Sequence, residues 1–133
     1  MIRLVLTAAI AFAAFAGTAR AEDSVTAKPV QSEKLPNVPG KSLTAVQVSY
    51  APGAKSTSHH HAGSVFVYVL SGQVRSEVSG MGPAKIYKAG ETFFEPPGSA
   101  HLVSENASAT EPASILAVFV ADDGAKLTPY DTK

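Results

Sequence analysis

All four histidines of this chain lie in two short stretches, and three of them have the spacing of one metal site. His59 and His61 are separated by one residue, and His101 follows forty residues later. Side chains at positions i and i+2 of a strand point to the same face, so His59 and His61 can project together. Neutral imidazole is the commonest protein ligand for divalent transition metals. The sequence therefore predicts one divalent transition metal per chain, held by His59, His61 and His101.

Glycines and prolines keep fixed spacings around these histidines. Five residues separate Gly53 from His59. In the second stretch, Gly90 is followed by five residues, a Pro-Pro-Gly turn at 96–98, two further residues and then His101. The order and spacing resemble the two motifs of the cupin superfamily, and the resemblance covers roughly residues 43–121. It implies that the two stretches form one site inside a small barrel.

The chain departs from the cupin motifs at two positions. Val65 stands where the first motif has a metal-binding glutamate, and Glu105 stands where the second has asparagine. The resemblance therefore implies a set of three imidazoles without the motif carboxylate, as in thiol dioxygenases and diketone-cleaving enzymes of the superfamily. The chain has no cysteine, so the cysteine–tyrosine cross-link of some thiol dioxygenases cannot form.

Glu95 is the candidate catalytic residue. It ends a predicted strand just before the 96–98 turn, and by alternation it shares a face with Phe93. Three roles stay open for it: a metal ligand that replaces the missing glutamate, a general base, or an acceptor for the amides of the turn. By the same alternation His60 should point away from His59 and His61.

Short strands must position these side chains. Segments of alternating or β-branched residues are separated by glycine and proline, and no helical period appears after residue 21. Strands are predicted at 46–50, 65–70, 74–78, 84–88, 91–95, 101–105 and 114–121. The apolar run at 65–70 is predicted to be buried on both faces. Regularly spaced short strands predict an all-β fold, and a jelly roll fits them; the cupin resemblance implies the same small barrel.

The N-terminal region is predicted to be an export signal. Arg3 precedes an apolar, alanine-rich stretch at 4–17, which is too short to span a bilayer comfortably, and Ala19-Arg20-Ala21 has the small-x-small pattern of a cleavage site. Residues 1–21 are interpreted as a signal peptide, 22–42 as an extended N-terminal arm with room for a short edge strand, and 43–133 as the cupin domain. The expected location is the periplasm, or outside the cell.

Composition narrows the range of partners. The chain has eleven basic and eleven acidic residues, and removal of residues 1–21 leaves nine against eleven, a formal charge of −2. A nucleic-acid binder needs a basic patch, and no run of basic residues is present. We therefore expect a small-molecule partner, no nucleic acid, and no stable membrane association after processing. Without cysteine, a metal site must be built from nitrogen and oxygen ligands.

The function expected from these features is a small metalloenzyme that acts on a small oxygenated organic molecule. The resemblance implies oxygenase chemistry like that of the quercetin- or diketone-cleaving cupins as the first hypothesis. A metal-dependent lyase or isomerase is the second hypothesis. The alternative that is not an enzyme is a binding module that holds a small ligand or a metal. Cupin folds host all of these. Imidazole ligands do not distinguish Fe, Zn, Ni, Mn and Cu.

The resemblance also implies assembly, because small cupins commonly pair. A homodimer is therefore expected. The N-terminal arm and residues 74–78 are the predicted edges at which strands of two copies would meet.

Export gives the first testable prediction. Small residues at positions 19 and 21 should direct cleavage after Ala21, so the intact mass of the exported protein should correspond to a chain that begins at Glu22. Recovery of only the full-length chain from the cytoplasm would contradict it.

Overall fold

The structure is a computed structural model that describes residues 25–129. The predicted signal peptide lies outside these residues. None of the described segments is a helix able to cross a membrane. Nine strands follow one another within 25–129: β1 Val25–Lys34, β2 Lys41–Tyr50, β3 His59–His60, β4 Ser64–Ser71, β5 Gln73–Val78, β6 Lys85–Lys88, β7 Thr92–Glu95, β8 Ala100–Asn106 and β9 Ala113–Asp122.

The strands form two antiparallel sheets. One has five strands in the order β1-β2-β9-β4-β7, and the other has four in the order β3-β8-β5-β6. Buried side chains from both sheets meet in one hydrophobic cluster, in which Val67 of β4 and Ile115 of β9 join Val74 of β5. The prediction of an all-β jelly roll is confirmed. The predicted strands at 84–88, 91–95, 101–105 and 114–121 correspond to β6, β7, β8 and β9.

Strand β4 differs from the prediction that both of its faces are buried. Its three valines have no exposed surface, whereas Phe66, Tyr68 and Leu70 are 48%, 40% and 42% exposed. The prediction was wrong because β-branched and aromatic residues favour strands on either face, so an unbroken apolar run does not show which face is covered. Phe66 lies directly opposite Phe94 of β7, which is also exposed.

The strand order also corrects one predicted edge. Residues 74–78 belong to β5, which pairs with β6 on one side and with β8 on the other. They therefore offer no free edge for a second copy. Strand β1 does lie at the edge of the five-stranded sheet, within the segment predicted as an extended arm, and it is ten residues long.

Two pairings set the geometry of the candidate site. His59 of β3 lies directly opposite His101 of β8. On the other sheet, Val65 of β4 lies directly opposite Glu95 of β7. Gly72 closes the β4–β5 connection with a φ of 70°, and a Cβ there would lie 2.8 Å from the Cα of Ala113. Only glycine satisfies both conditions, since other residues disfavour positive φ and would clash with β9.

Candidate metal centre

The three predicted ligand histidines lie together inside the barrel. His59 and His101 face each other across the β3–β8 pair, with ring centroids 5.1 Å apart, and His61 follows β3 directly, 4.8 Å from His59. One nitrogen from each imidazole lies within 4.8 Å of the others. The residues are only 6%, 6% and 3% exposed. The arrangement is a compact set of three imidazoles.

Backbone carbonyls fix the rings of His59 and His61. The Nδ1 of His59 is 2.7 Å from the carbonyl oxygen of Thr57, and the Nδ1 of His61 is 3.0 Å from that of Leu127. A carbonyl oxygen can only accept, so in each pair the ring N–H must donate. The Nε2 of each neutral ring therefore carries the lone pair. Metal-binding histidines are held by hydrogen bonds of this kind at the other ring nitrogen.

His101 is held by a hydroxyl. Its Nε2 forms a 2.9 Å hydrogen bond with the Oγ of Ser76, and its Nδ1 faces Glu95. Burial lowers the pKa of His101 from 6.5 to about 4, and the neighbouring Glu95 carboxylate only partly opposes this effect. His101 is therefore neutral at neutral pH, which is the form that coordinates metals.

Glu95 lies against the histidine cluster. It is 2% exposed and shares the inward face of β7 with Phe93, as alternation predicted. Its Oε2 is 3.2 Å from the Nε2 of His61 and 3.2 Å from the Nδ1 of His101. Within residues 25–129 this oxygen has no hydrogen-bond partner. A buried carboxylate oxygen without a donor is unfavourable, and a cation beside it would offset that cost.

The turn after Glu95 is closed by other groups. The N–H of Gly98 donates to the carbonyl oxygen of His61 at 3.3 Å, and that of Ser99 donates to the carbonyl oxygen of Pro96 at 3.1 Å. The hydroxyl of Ser99 also donates to Pro96, at 2.7 Å. Because these amides have backbone partners, the third role considered for Glu95, acceptor for the turn, is not supported.

A cavity of about 420 Å³ opens on the cluster. The three imidazoles form part of its wall, and side chains of β1 and β2 supply an apolar part that includes Ala27, Val46 and Val48. Tyr50 and Ser104 add polar groups, joined by a 2.8 Å hydrogen bond between their hydroxyls. A volume of this size suits a small organic molecule. Glu95 is not part of this wall.

Several groups at the site were not found from the sequence. Ser76 carried a signal, because it is polar at an inward position of an alternating strand. Leu127 carried none, since its contribution is a backbone carbonyl. His60 lies outside the cluster, as expected, and its backbone N–H donates to the carbonyl oxygen of Pro129 at 3.0 Å.

The lowered pKa of His101 predicts acid sensitivity of the metal-free protein. The unfolded chain binds the His101 proton near pH 6.5, whereas the native state binds it only near pH 4. The stability that neutral His101 contributes is therefore present above pH 6.5 and is lost as pH falls towards 4, by about 3 kcal/mol. Urea unfolding at pH 7 and 4.5 measures the loss.

Two variants serve as controls for this prediction. His101→Gln removes the titrating group and should reduce the difference in unfolding free energy between the two pH values. His60→Gln, outside the cluster, should leave that difference near the wild-type value. An undiminished difference in His101→Gln would show that another group causes the acid sensitivity.

Comparisons with known proteins agree with this architecture. Residues 46–119 match the family model described as the cupin domain. The germin-like protein subfamily 2 member 2 of Arabidopsis thaliana is 34% identical over 93 residues, which are 65% of this chain and 41% of that protein. The chain thus spans about two fifths of the length of the curated relative it matches.

Solved structures show the same fold at low sequence identity. The DMSP lyase DddQ from Ruegeria pomeroyi superposes with a TM-score of 0.64 at 19% identity, over 81% of this chain and 52% of that one. Recombinant oxalate oxidase in complex with glycolate gives 0.62 at 19% identity, over 81% and 55%. Because the family model covers more than half of the chain, and the fold agrees with it, this chain belongs to the cupin family.

Proposed function

We propose that this chain is an exported metal-dependent cupin enzyme of the oxygenase type, which acts on a small oxygenated organic molecule. The observation that carries the proposal is the convergence of three buried imidazoles on the wall of a cavity of about 420 Å³. Enzymes of the fold act on small molecules, as the names DMSP lyase and oxalate oxidase state for two of them. The signal peptide predicted at 1–21 supports a periplasmic location.

The residues fit one divalent transition metal. His59 and His61 direct Nε2 lone pairs away from the carbonyls that bind their Nδ1 atoms, and burial keeps His101 neutral. The unpartnered Oε2 of Glu95 adds negative charge beside them. Nitrogen and oxygen donors of this kind suit Fe, Mn, Ni, Cu or Zn. When bound, such a metal supplies Lewis-acid chemistry or, if it is redox-active, brings oxygen and substrate together.

The chain's own residues would position the substrate. The valines of β2 exclude water from one side of the cavity, and the hydroxyls of Tyr50 and Ser104 offer hydrogen bonds to substrate oxygen atoms. Lys55 lines the cavity as well, and its ammonium group lies 3.3 Å from the Glu105 carboxylate. A small oxygenated molecule would thus find apolar contact on one side and polar groups on the other.

Metal content tests the proposal. Each of His59→Ala, His61→Ala and His101→Ala should remove most of the metal from the exported protein, because each deletes one donor. Circular dichroism should stay that of a β protein, since the core is aliphatic and aromatic. His60→Ala is the matched control, with the same change of side chain outside the cluster, and should retain the metal. Elemental analysis of the wild type and the four variants gives the result.

Oxygen uptake separates the possible activities of the loaded protein. Oxygen consumption with small hydroxy acids, dicarboxylates or diketones, absent in His101→Ala, would support the oxygenase. Turnover under nitrogen would instead identify a lyase or isomerase, and ligand binding without turnover would identify a binding module. Full metal occupancy in His101→Ala would contradict the three-histidine assignment.

We also propose a homodimer, on the basis of the family resemblance. The exposed outer face of the five-stranded sheet offers a surface for a second copy, with Phe66 and Phe94 directly opposite each other and Tyr68 beside them. Large aromatic side chains are enriched in interfaces of this kind. Light scattering at micromolar concentration should give twice the chain mass.

A charge on this face should dissociate the dimer. Phe66→Glu places a carboxylate in the middle of the proposed interface and should give a monomer. Leu102→Glu, at an equally exposed apolar residue on the other sheet, is the matched control and should leave the dimer intact. A monomeric wild type would contradict the proposal.

A further inference from the structure

We infer that Glu95 is a metal ligand, so that β7 supplies the carboxylate that β4 lacks at Val65. The inference rests on the proposed metal site and specifies its ligand set as three imidazoles and one carboxylate. The cupin resemblance implied three imidazoles without the motif carboxylate, because Val65 occupies the motif position, and the sequence left a ligand role for Glu95 as one of three open roles.

The register of β4 and β7 carries the first step. Val65 and Glu95 are directly opposite each other in the antiparallel pair, and directly opposite side chains lie on the same face of a sheet. Val65 is fully buried and Glu95 is 2% exposed, so both point into the barrel. A carboxylate at position 95 of β7 therefore enters the barrel at the same level along the sheet as a carboxylate at position 65 of β4 would.

The second step concerns the atoms between Glu95 and His61. The Nδ1–H of His61 donates to the carbonyl of Leu127, so the Nε2 of the neutral ring is the atom that can bind a metal. The Oε2 of Glu95 lies 3.2 Å from that nitrogen and has no hydrogen-bond partner among the described residues. Two acceptors at this distance repel each other unless a proton or a metal ion lies between them. A metal bound to both would remove the repulsion.

The two distances from the Glu95 oxygen agree with coordination of one ion. Two donors that each bind a metal at about 2.1 Å, with an angle of 90–110° at the metal, are about 3.0–3.4 Å apart. The Oε2 of Glu95 is 3.2 Å from a nitrogen of His61 and 3.2 Å from a nitrogen of His101. Ser76 bonds the other nitrogen of His101, so that Nδ1 is the atom turned towards Glu95.

Other roles of Glu95 fit the contacts less well. A general base must reach the substrate, yet the cavity wall is formed by the imidazoles and Glu95 lies outside that wall. A structural acceptor would bond the amides of the turn, yet Gly98 and Ser99 donate to backbone carbonyls. The ligand role accounts both for the burial of the carboxylate and for its unpartnered oxygen.

Cobalt binding tests the inference. The exported protein, stripped of metal, is titrated with Co²⁺ alone while the dissociation constant and the visible absorption bands are recorded. Glu95→Gln keeps the shape of the side chain and removes its charge. It should weaken Co²⁺ binding by at least about tenfold, because loss of a residue that only hydrogen-bonds to a metal ligand already lowers metal affinity that much. The bands should also shift, since an oxygen donor is lost.

Glu105→Gln is the matched control. Glu105 is a partly buried carboxylate that pairs with Lys55 and Arg75 and is not among the groups facing the imidazoles. Its removal should change the Co²⁺ dissociation constant by less than about twofold, since a partly exposed pair contributes little. A Glu95→Gln protein with wild-type affinity and unchanged bands overturns the inference but leaves the three-histidine site standing. Absence of Co²⁺ binding by the wild type overturns the proposed site itself.

The unfolding temperature of the metal-free proteins separates the two roles of Glu95, because a ligand role and a structural role predict opposite changes in it. If Glu95 is a ligand, metal-free Glu95→Gln should unfold at the same or a higher temperature than the metal-free wild type, because an unpaired buried charge has gone. If Glu95 held the fold together, the variant would unfold earlier or not fold. Either of those results overturns the inference.

Exchange of the two side chains tests the register. The double variant Val65→Glu/Glu95→Val returns the carboxylate to β4 and should bind Co²⁺ more tightly than Glu95→Val alone. A folded double variant with no such gain would contradict the placement of the two residues as equivalent entry points for one ligand.

Discussion

A buried carboxylate that faces imidazole nitrogens is the constraint on which the rest of this structure depends. Glu95 and three histidines occupy the interior of a barrel whose core is otherwise mostly aliphatic and aromatic. Such groups are unfavourable in an apolar core unless each atom finds a partner. Ser76 and the carbonyls of Thr57 and Leu127 satisfy the outer ring nitrogens. The inner atoms are the ones proposed to share one cation.

This constraint explains the course of the irregular segments around the site. The segment after β9 returns alongside residues 60–62, where its carbonyls accept from the backbone N–H groups of His60 and Ala62 as well as from the ring of His61. The turn between β7 and β8 is tied to the carbonyl of His61 through Gly98. The two segments therefore hold one imidazole and its backbone from two sides.

Sequence reasoning predicted the strands because alternation is a local rule, and it predicted the histidine cluster because the cupin motifs place the two stretches in one site. Alternation placed Glu95 and Phe93 on one face, and motif spacing brought His101 to His59 across two strands. It failed where the burial or pairing of a strand depends on neighbouring strands, which the spacing of residues along the sequence does not reveal. The run at 65–70 has the same composition whether or not its outer face is covered, and residues 74–78 became a central strand because β6 and β8 took both of their edges. The carbonyl of Leu127 has no side-chain signature at all.

The valine at position 65, where the cupin motif has glutamate, has a structural consequence that the linear motif does not show. In a sheet, one inward position can be served from either of two paired strands, since directly opposite residues share a face. Val65 at the motif position packs in the core, and Glu95 opposite it brings the charge. The barrel therefore restricts the direction in which the carboxylate points more strongly than it restricts which strand carries the carboxylate. For a site of this kind, the face and level of a donor in the sheet describe the ligand set better than its place in the linear motif.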